Sequence, residues 1–237
     1  MGKNKPLEGI KILDFTTIVM GPASTRILSD CGAQVIKIES SSRSDTLRSA
    51  TPYKGEDPSP NRSGYFAMYN AGKLSLPINM RNPESVNFVK EHLIPWADIV
   101  VTAFTPRVLP MWGMTYDDLA AIKPELIMLS ACLMGNTGPY ADLRGTGQLA
   151  AALSGWYENT GWPDKDPVGP YSAYADFVSW NYFIVAVMAA LDYRDRTGKG
   201  QYIDQSMFES TLQFAGPQLM YYLNEGKLTT RMGNQDV

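Results

Sequence analysis

The chain has 237 residues, of which 44% are hydrophobic and 19% charged, a composition typical of a globular protein with one sizeable core. Its net charge of −3 and its 21 scattered lysine and arginine residues exclude a general binder of the nucleic-acid backbone. Its two cysteines, Cys31 and Cys132, exclude a disulfide framework and lack zinc-site spacing, and the single histidine, His92, leaves this chain without Ser-His-Asp or Cys-His chemistry.

The N-terminal residues indicate a cytoplasmic protein. Lys3 and Lys5 lead directly into structured sequence, without the apolar segment of a signal peptide. The apolar run at residues 177–191 is shorter than the roughly 18 to 20 residues that a membrane-crossing helix needs, so we expect a core helix and no membrane contact.

Segments with the patterns of strands and helices alternate along the chain. The first strand is followed by a helix that begins at Gly21-Pro22 and ends at Cys31-Gly32, and the next strand completes a β-α-β unit. The predicted strands are residues 9–15, 33–39, a short segment ending at Leu76, 98–102, 126–131 and an edge strand at 201–205. The later predicted helices are residues 83–93, 116–122, 147–156, 177–191 and 207–224.

This alternation predicts an α/β fold with a Rossmann-like open parallel sheet and a ligand crevice at the carboxyl ends of its strands. The loops after Phe15, Thr102 and Ala131 would lie at that edge. The first of these loops lacks the G-x-G-x-x-G sequence, which disfavours an oxidoreductase that binds a dinucleotide in the usual way.

Three other features of the first hundred residues have simple structural interpretations. Residues 40–64 are polar and rich in Ser, Pro, Gly and Asn, which predicts a long loop kept for function or left mobile. Lys73 follows a turn at Asn70 and Gly72 and could hold a phosphate, although spacing alone favours a solvated surface lysine. His92 lies near the end of a predicted helix and is interpreted as structural.

Asp176 is the main catalytic candidate. It stands where a loop rich in glycine and proline meets the apolar helix of residues 177–191, so the helix dipole should keep its carboxylate ionised at neutral pH. A charged oxygen beside a loop-built cavity is a candidate nucleophile. The alternative is an N-cap that only accepts backbone hydrogen bonds, and this segment alone favours that commoner role.

The last predicted helix has an apolar face that no later segment can cover. This face consists of Met207, Phe208, Leu212, Phe214, Leu219 and Tyr222. We expect either that another subunit covers it or that the natural protein continues beyond residue 237.

A set of motifs, taken in order, resembles the family III CoA-transferases, which include formyl-CoA transferase, carnitine CoA-transferase, benzylsuccinate CoA-transferase and α-methylacyl-CoA racemase. No single motif is decisive, but their order and spacing over nearly the whole chain are specific. The motifs are residues 6–14, 21–22, 32–39, 70–76, 97–100, 135–140, 154–155, 160–161 and 194–201.

The resemblance implies a Rossmann-like large domain, a smaller second domain, and an interlaced dimer of identical or homologous subunits. Residues 1–206 would form the CoA-binding large domain and residues 207–237 a linker helix toward a small domain that this chain lacks. The expected partners are an acyl-CoA and a carboxylic acid as substrates, with no tightly bound cofactor, metal or nucleic acid.

The family's nucleophile position falls on Asp176. The resemblance implies attack of this carboxylate on an acyl-CoA thioester, which gives an acyl-aspartyl anhydride and then an aspartyl-CoA thioester. Backbone N–H groups near Gly21 are candidates for stabilising the oxyanion. The residues implied for CoA binding, with Lys73 on a phosphate, are Thr17, Ile18, Val19, Met20, Gly21, Lys73, Ala103, Phe104 and Arg107.

Two alternatives share this resemblance. The racemase branch needs a second base, and Thr146 stands where the family has that histidine, which disfavours a racemase. A non-catalytic subunit of a hetero-oligomer is kept open by the polar residues 40–64 and by Ala103, which replaces an asparagine common in relatives. Retention of Asp176 argues against that second alternative.

The acyl group is less well defined by the sequence. Trp156, Trp162 and Trp180 lie around the nucleophile segment. Packing in the core or at a subunit interface is the simpler interpretation, although a large or aromatic acid of the benzylsuccinate type would suit them.

Overall fold

The computed structural model describes residues 5–40 and 42–235, which contain a six-stranded parallel sheet with the order β3-β2-β1-β4-β5-β6. This order confirms the predicted Rossmann-like open sheet. β2 and β3 lie on one side of β1, whereas β4 and the later strands lie on the other side. The expected ligand crevice therefore lies between β1 and β4, at the carboxyl ends of these two strands. The strands are β1 Lys11–Asp14, β2 Gln34–Glu39, β3 Leu74–Pro77, β4 Ile99–Thr102, β5 Ile127–Cys132 and β6 Gln201–Ser206.

The helices fill the connections between the strands. A 3₁₀ turn at Thr46–Ser49 and a π-helical turn at Val89–Leu93 supplement them. The α-helices are α1 Met20–Asp30, α2 Gly64–Asn70, α3 Pro83–Phe88, α4 Ile94–Trp96, α5 Val108–Met111, α6 Tyr116–Ile122, α7 Gly147–Leu153, α8 Tyr174–Thr197, α9 Met207–Phe214 and α10 Gly216–Glu225.

Neighbouring side chains of the central strands are buried on opposite faces of the sheet. On one face, Ile12 of β1 belongs to a core formed with α1, α7 and α8. On the other face, Leu13 of β1 packs with Val89 and with Leu119 of α6. Because both faces are covered, neighbouring residues at the centres of these strands are apolar, which is why the sequence pattern identified them.

The helix α8 is the main helix of the first face and is longer than predicted. It runs for 24 residues and ends at Gly198, which adopts a left-handed conformation with φ 69°. Its length and composition would allow it to cross a membrane, a criterion that core helices of soluble proteins also meet. Phe183 and Val187 are fully buried in the core shared with α1 and α7, so α8 packs as a core helix.

The predicted C-terminal helix is wrong in two respects. It consists of two helices, α9 and α10, and Gly216 and Pro217 begin the second one because proline cannot continue an existing helix. Met207 is only 7% exposed and belongs to the core. The rest of the predicted apolar face is accessible at Phe214, Leu219 and Tyr222, which are 45%, 42% and 47% exposed.

Residue 41 lies outside the described residues, and residues 42–64 contain more regular structure than a loop prediction suggests. Asp45 caps the 3₁₀ turn by accepting the Leu47 N–H at 3.0 Å, and Ser63 caps α2 by accepting the Phe66 N–H at 3.1 Å. The sequence analysis did not predict α2. The helix predicted for residues 83–93 is also only partly right, since it changes from α-helical to π-helical after Phe88.

Candidate active site

Asp176 lies where the N-terminal ends of three helices meet. It is the third residue of α8, and its carboxylate lies close enough to the backbone N–H groups of Met20, Gly147 and Asp176 itself for these groups to favour its ionised form. Met20 is the first residue of α1 and Gly147 the first residue of α7. The positive ends of three helix dipoles therefore meet at one negative charge. Ala173 occupies the N-cap position, so the prediction of Asp176 as the N-cap is wrong.

Burial raises the pKa of Asp176 to about 6, and the three backbone N–H groups only partly oppose this effect. The sequence analysis considered the helix dipole alone and missed the larger effect of desolvation. The carboxylate is still mainly ionised at neutral pH, because its pKa lies below 7. A raised pKa also makes the carboxylate more basic than an exposed one, which suits a nucleophile.

Gly147 is the residue that lets α7 begin so close to this carboxylate. A Cβ atom at Gly147 would overlap Oδ2 of Asp176 and would lie 2.9 Å from the backbone nitrogen of Asp176 and 3.1 Å from the carbonyl oxygen of Ala173. A larger residue at this position would therefore displace either the carboxylate or the start of α7. The sequence analysis identified Gly147 only as a helix start.

Two tyrosines of α2 lie on the same side of the site. The rings of Tyr65 and Tyr69 are perpendicular with centroids 5.4 Å apart, and Tyr69 packs with Val19 and Phe177. Burial, followed by the effects of Tyr65 and Asp176, raises the pKa of Tyr69 to about 12. Its hydroxyl therefore stays protonated at neutral pH.

The loop after β1 carries five residues predicted to bind CoA, and the structure divides them into two groups. Thr17 and Ile18 are exposed, and Ile18 has a left-handed backbone with φ 65°. Val19, Met20 and Gly21 are buried at the start of α1. Only the first group can present side chains to a ligand, whereas the backbone of the second group faces the nucleophile candidate.

The geometry of Lys73 contradicts the predicted phosphate contact. Its Nζ donates to Asp14 Oδ2 at 3.1 Å, to the Pro22 carbonyl oxygen at 2.8 Å and to Asn70 Oδ1 at 3.0 Å, which uses all three of its N–H groups. The Lys73 side chain is 2% exposed and that of Asp14 is fully buried. The prediction is wrong because the turn at Asn70 directs the lysine under α1 rather than into solvent.

Asp14 is the centre of a charged network beneath the loop after β1. Thr16 donates to Asp14 Oδ1 from both its backbone nitrogen and its hydroxyl, and Thr25 donates to Oδ2 at 2.6 Å. Burial opposes ionisation, but Lys73, Lys37 and these donors outweigh it and lower the pKa of Asp14 to about 2. The network fixes the end of β1 against α1.

The loop after β4 carries the other predicted CoA residues. Ala103 is exposed at the sheet edge, whereas the ring of Phe104 packs against Phe15 and Trp112 at centroid distances of 6.4 Å and 5.2 Å. Arg107 is exposed and forms two hydrogen bonds to Asp142, at 2.6 Å and 3.1 Å. Ala103 and Arg107 are thus accessible to a ligand, and Phe104 mainly supports the loop.

Two of the three candidate tryptophans are explained by packing. Trp156 packs against Tyr174 and donates to the Thr211 carbonyl oxygen at 3.3 Å. Trp180 forms an edge-to-face pair with Phe177. Trp162 is 55% exposed. The structural interpretation therefore holds for Trp156 and Trp180, and these two give no support to an aromatic acyl group.

The predicted site residues fall into separate neighbourhoods. Met20 reaches Asp176, whereas Lys73 lies with Asp14, and Arg107 lies with Asp142. Among the described residues, no group of three or more His, Cys, Asp or Glu side chains is arranged to hold a metal ion.

Two features define the class of this protein: a parallel α/β sheet, and a buried carboxylate near the carboxyl edge of that sheet. The first residues of the helices that follow β1 and β5 surround this carboxylate. Residues 7–237 match the family model described as CoA-transferase family III. The chain therefore belongs to this family, as the sequence motifs indicated.

The similar proteins agree with this membership. The chain is 36% identical to the acetyl-CoA:oxalate CoA-transferase of Acetobacter aceti over 97% of its length, which is 58% of that protein. It is 34% identical to the succinyl-CoA--L-malate CoA-transferase beta subunit of Chloroflexus aurantiacus, covering 97% of this chain and 56% of that protein. The chain thus spans somewhat more than half the length of these two curated relatives.

The fold also matches a solved structure. A CaiB/BaiF family protein from Brucella suis superposes with a TM-score of 0.91 at 36% sequence identity, covering 98% of this chain and 61% of that one.

Proposed function

We propose that the complete protein carrying this chain transfers CoA from an acyl-CoA thioester to a carboxylic acid, with Asp176 as the covalent nucleophile. The observation that carries this proposal is the position of its carboxylate against the first residues of α1 and α7, beside the loop after β1. Asp176 is 8% exposed, so it is buried without being sealed.

In the first half of the reaction, a carboxylate oxygen of Asp176 attacks the thioester carbonyl carbon and the carbon–sulfur bond breaks. The products are an acyl-aspartyl anhydride and the CoA thiolate. The thiolate then attacks the aspartyl carbonyl carbon of the anhydride, which releases the donor acid as its carboxylate and leaves an aspartyl-CoA thioester.

The second half repeats these steps with the acceptor. The acceptor carboxylate attacks the aspartyl-CoA thioester, which gives a mixed anhydride and again releases the CoA thiolate. Attack of the thiolate on the acceptor carbonyl forms the new acyl-CoA and regenerates the Asp176 carboxylate. No electrons are exchanged with an external reagent and no proton is consumed overall.

The residues around Asp176 suit this sequence of steps. The backbone N–H groups of Met20 and Gly147 can stabilise negative charge that develops on oxygen next to the nucleophile. Burial limits the access of water, which would hydrolyse the anhydride. The exposed Thr17, Ile18, Ala103 and Arg107, at the ends of β1 and β4, are the accessible candidates for contacts with CoA.

The environment of Asp176 also bears on the racemase alternative. Thr146 immediately precedes Gly147, so it does occupy a position next to the nucleophile, but its hydroxyl does not titrate as a base near neutral pH. The only histidine, His92, is exposed and packs against Phe88 on the other side of the sheet. The residues near Asp176 therefore favour acyl transfer over proton transfer at the α-carbon.

The second candidate function is a CoA-binding subunit that depends on a homologous partner for catalysis. One relative is named as a beta subunit, which motivates this candidate for the complete protein. The two functions differ in one observable, because only the first forms a covalent adduct on Asp176 of this chain.

The test is to incubate the complete protein with acetyl-CoA or succinyl-CoA, trap the intermediate with hydroxylamine, and map the modified residue by mass spectrometry. We expect modification of Asp176 and its loss in Asp176→Ala. Asp192→Ala is the matched control, because Asp192 is an exposed acid on the same helix, α8. CoA binding without any adduct would favour the subunit candidate, and an adduct elsewhere would reject Asp176 as the nucleophile.

A further inference from the structure

Ile18 has an unusual backbone conformation that burial of its side chain does not explain. Its φ of 65° lies in the left-handed region, which is sterically unfavourable for a β-branched side chain. Its side chain is 44% exposed, so the conformation does not serve to bury an apolar group. Strain of this kind is retained when the surrounding structure enforces it, and it concentrates at functional sites.

Two buried side chains hold the backbone at Ile18 and just before it. The N–H of Ile18 donates to Asp45 Oδ1 at 3.3 Å. Two residues earlier, the carbonyl oxygen of Thr16 accepts a hydrogen bond from Lys37 Nζ at 2.5 Å. Lys37 and Asp45 in turn form an ion pair with Nζ 3.3 Å from Oδ2, in which the side chains are 2% and 1% exposed.

Asp45 has one further contact, which connects it to the neighbouring loop. The same Oδ1 atom accepts the Leu47 N–H at 3.0 Å, and Leu47 packs in the cluster that contains Val19 and Tyr69. A single buried carboxylate thus links the loop after β1 to the segment that leads to α2. Neither Asp45 nor Lys37 is accessible to a ligand, since they are 3% and 1% exposed.

We propose that Asp45 is a positioning residue for CoA: its carboxylate holds Ile18 in the left-handed conformation and so presents the exposed Thr17 and Ile18 to the ligand. This inference rests on the proposed CoA site and adds the hydrogen bond that fixes the conformation of its loop. Asp45 acts through the backbone of Ile18 and does not itself touch the substrate.

We expect the effect of Asp45 on CoA affinity to depend on the residue at position 18. Removing the carboxylate should let Ile18 relax to a negative φ and should weaken CoA binding. Glycine adopts φ near 65° without a steric penalty, so Ile18→Gly should make the loop less dependent on Asp45. A role of Asp45 in general stability would not depend on the residue at position 18.

The experiment measures CoA affinity by isothermal titration calorimetry in the complete protein. We expect Asp45→Ala to raise the dissociation constant about tenfold with isoleucine at position 18, and less than about threefold in the Ile18→Gly background. Asp45→Asn keeps an acceptor oxygen for both N–H groups and should lie between the wild type and Asp45→Ala. It also provides a second variant if Asp45→Ala does not fold. Asp57→Ala is the matched control, an exposed acid in the same segment.

The outcomes separate this inference from the proposed function. If the wild type binds CoA and Asp45→Ala binds it equally well, or if both backgrounds lose affinity by the same factor, the positioning role is rejected. When Asp45→Ala does not fold, unchanged affinity in Asp45→Asn rejects it as well. A wild-type protein that neither binds CoA nor transfers it would instead reject the proposed function.

Discussion

The Asp176 carboxylate and the α-carbon of Gly147 occupy adjoining space, and a Cβ atom at position 147 would overlap Oδ2. This contact joins the first turn of α8 to the first residue of α7. Both the orientation of the carboxylate and its closeness to the Gly147 N–H therefore depend on the absence of a side chain at that position.

Gly147→Ala should reduce CoA transfer by about 10²-fold, because a displacement of the nucleophile by about 1 Å costs that much in rate. The measurement is the steady-state kcat of the complete protein with a fixed acyl donor and acceptor. Gly216→Ala is the matched control, since Gly216 also begins a helix, α10, and has no atom within 4 Å of an added Cβ. Equal activity of the two variants would contradict the close contact.

Asp176→Asn should abolish transfer and at the same time stabilise the fold at neutral pH. The folded-state pKa of about 6 lies above the ordinary aspartate pKa of 3.8, so the folded protein binds this proton more tightly than the unfolded chain. The resulting destabilisation is absent below about pH 3.8 and fully developed above about pH 6. The amide should therefore raise the free energy of unfolding by about 1–3 kcal/mol at pH 7.

Urea unfolding of wild type and Asp176→Asn at pH 4 and pH 7 checks this sign. The difference between the two proteins should shrink toward acid, because at pH 4 the wild-type carboxylate is protonated in the folded protein and nearly half protonated in the unfolded chain. A difference that is independent of pH would show that burial of this charge is not its cause.

The strands and the parallel sheet, although not the order of the strands, were accessible to sequence analysis because β1, β4 and β5 are covered on both faces and have apolar residues at their centres. The helix of residues 116–122 was predicted with its observed bounds. The helix α2 was missed, since its cap Ser63 lies in a long polar stretch and its apolar side chains pack against distant segments, namely α1, the 3₁₀ turn and α8. The local sequence pattern therefore identifies a strand that is buried on both faces. It is weak for a short helix whose burial depends on segments that are distant in sequence.

The site was predictable only in part for the same reason. Family resemblance identified Asp176, but the donors that surround it come from residues about 30 and 160 positions away in sequence. The raised pKa of Asp176 follows from burial by these distant segments. Likewise, the partner of Lys73 is Asp14, 59 residues earlier, and no local spacing indicates that pair.

Lys73→Met should destabilise the protein by about 3–5 kcal/mol, because it leaves the buried carboxylate of Asp14 without a close cationic partner. The expected effect is on folding, so any loss of CoA affinity should be equal for CoA and dephospho-CoA. Urea unfolding and titration with both ligands test this. Lys227→Met, at an exposed lysine, should change stability by no more than about 0.5 kcal/mol. A selective loss of CoA over dephospho-CoA would restore the phosphate contact that the structure contradicts.

Removing Arg107 and removing Asp142, the two partners of one ion pair, should have opposite effects on CoA affinity. The pair is exposed and bridges the loop after β4 to the loop after β5, so it contributes little to stability. If Arg107 contacts a CoA phosphate, Asp142 competes with that phosphate for the guanidinium. Arg107→Ala should weaken CoA binding by about two- to fivefold, and Asp142→Ala should leave it unchanged or strengthen it by a similar factor.

Calorimetric titration of both variants at low and high salt measures the effect, which should diminish as salt screens the charges. Weaker binding in both variants would instead indicate that the bridge orders the two loops and that Arg107 is not a phosphate ligand.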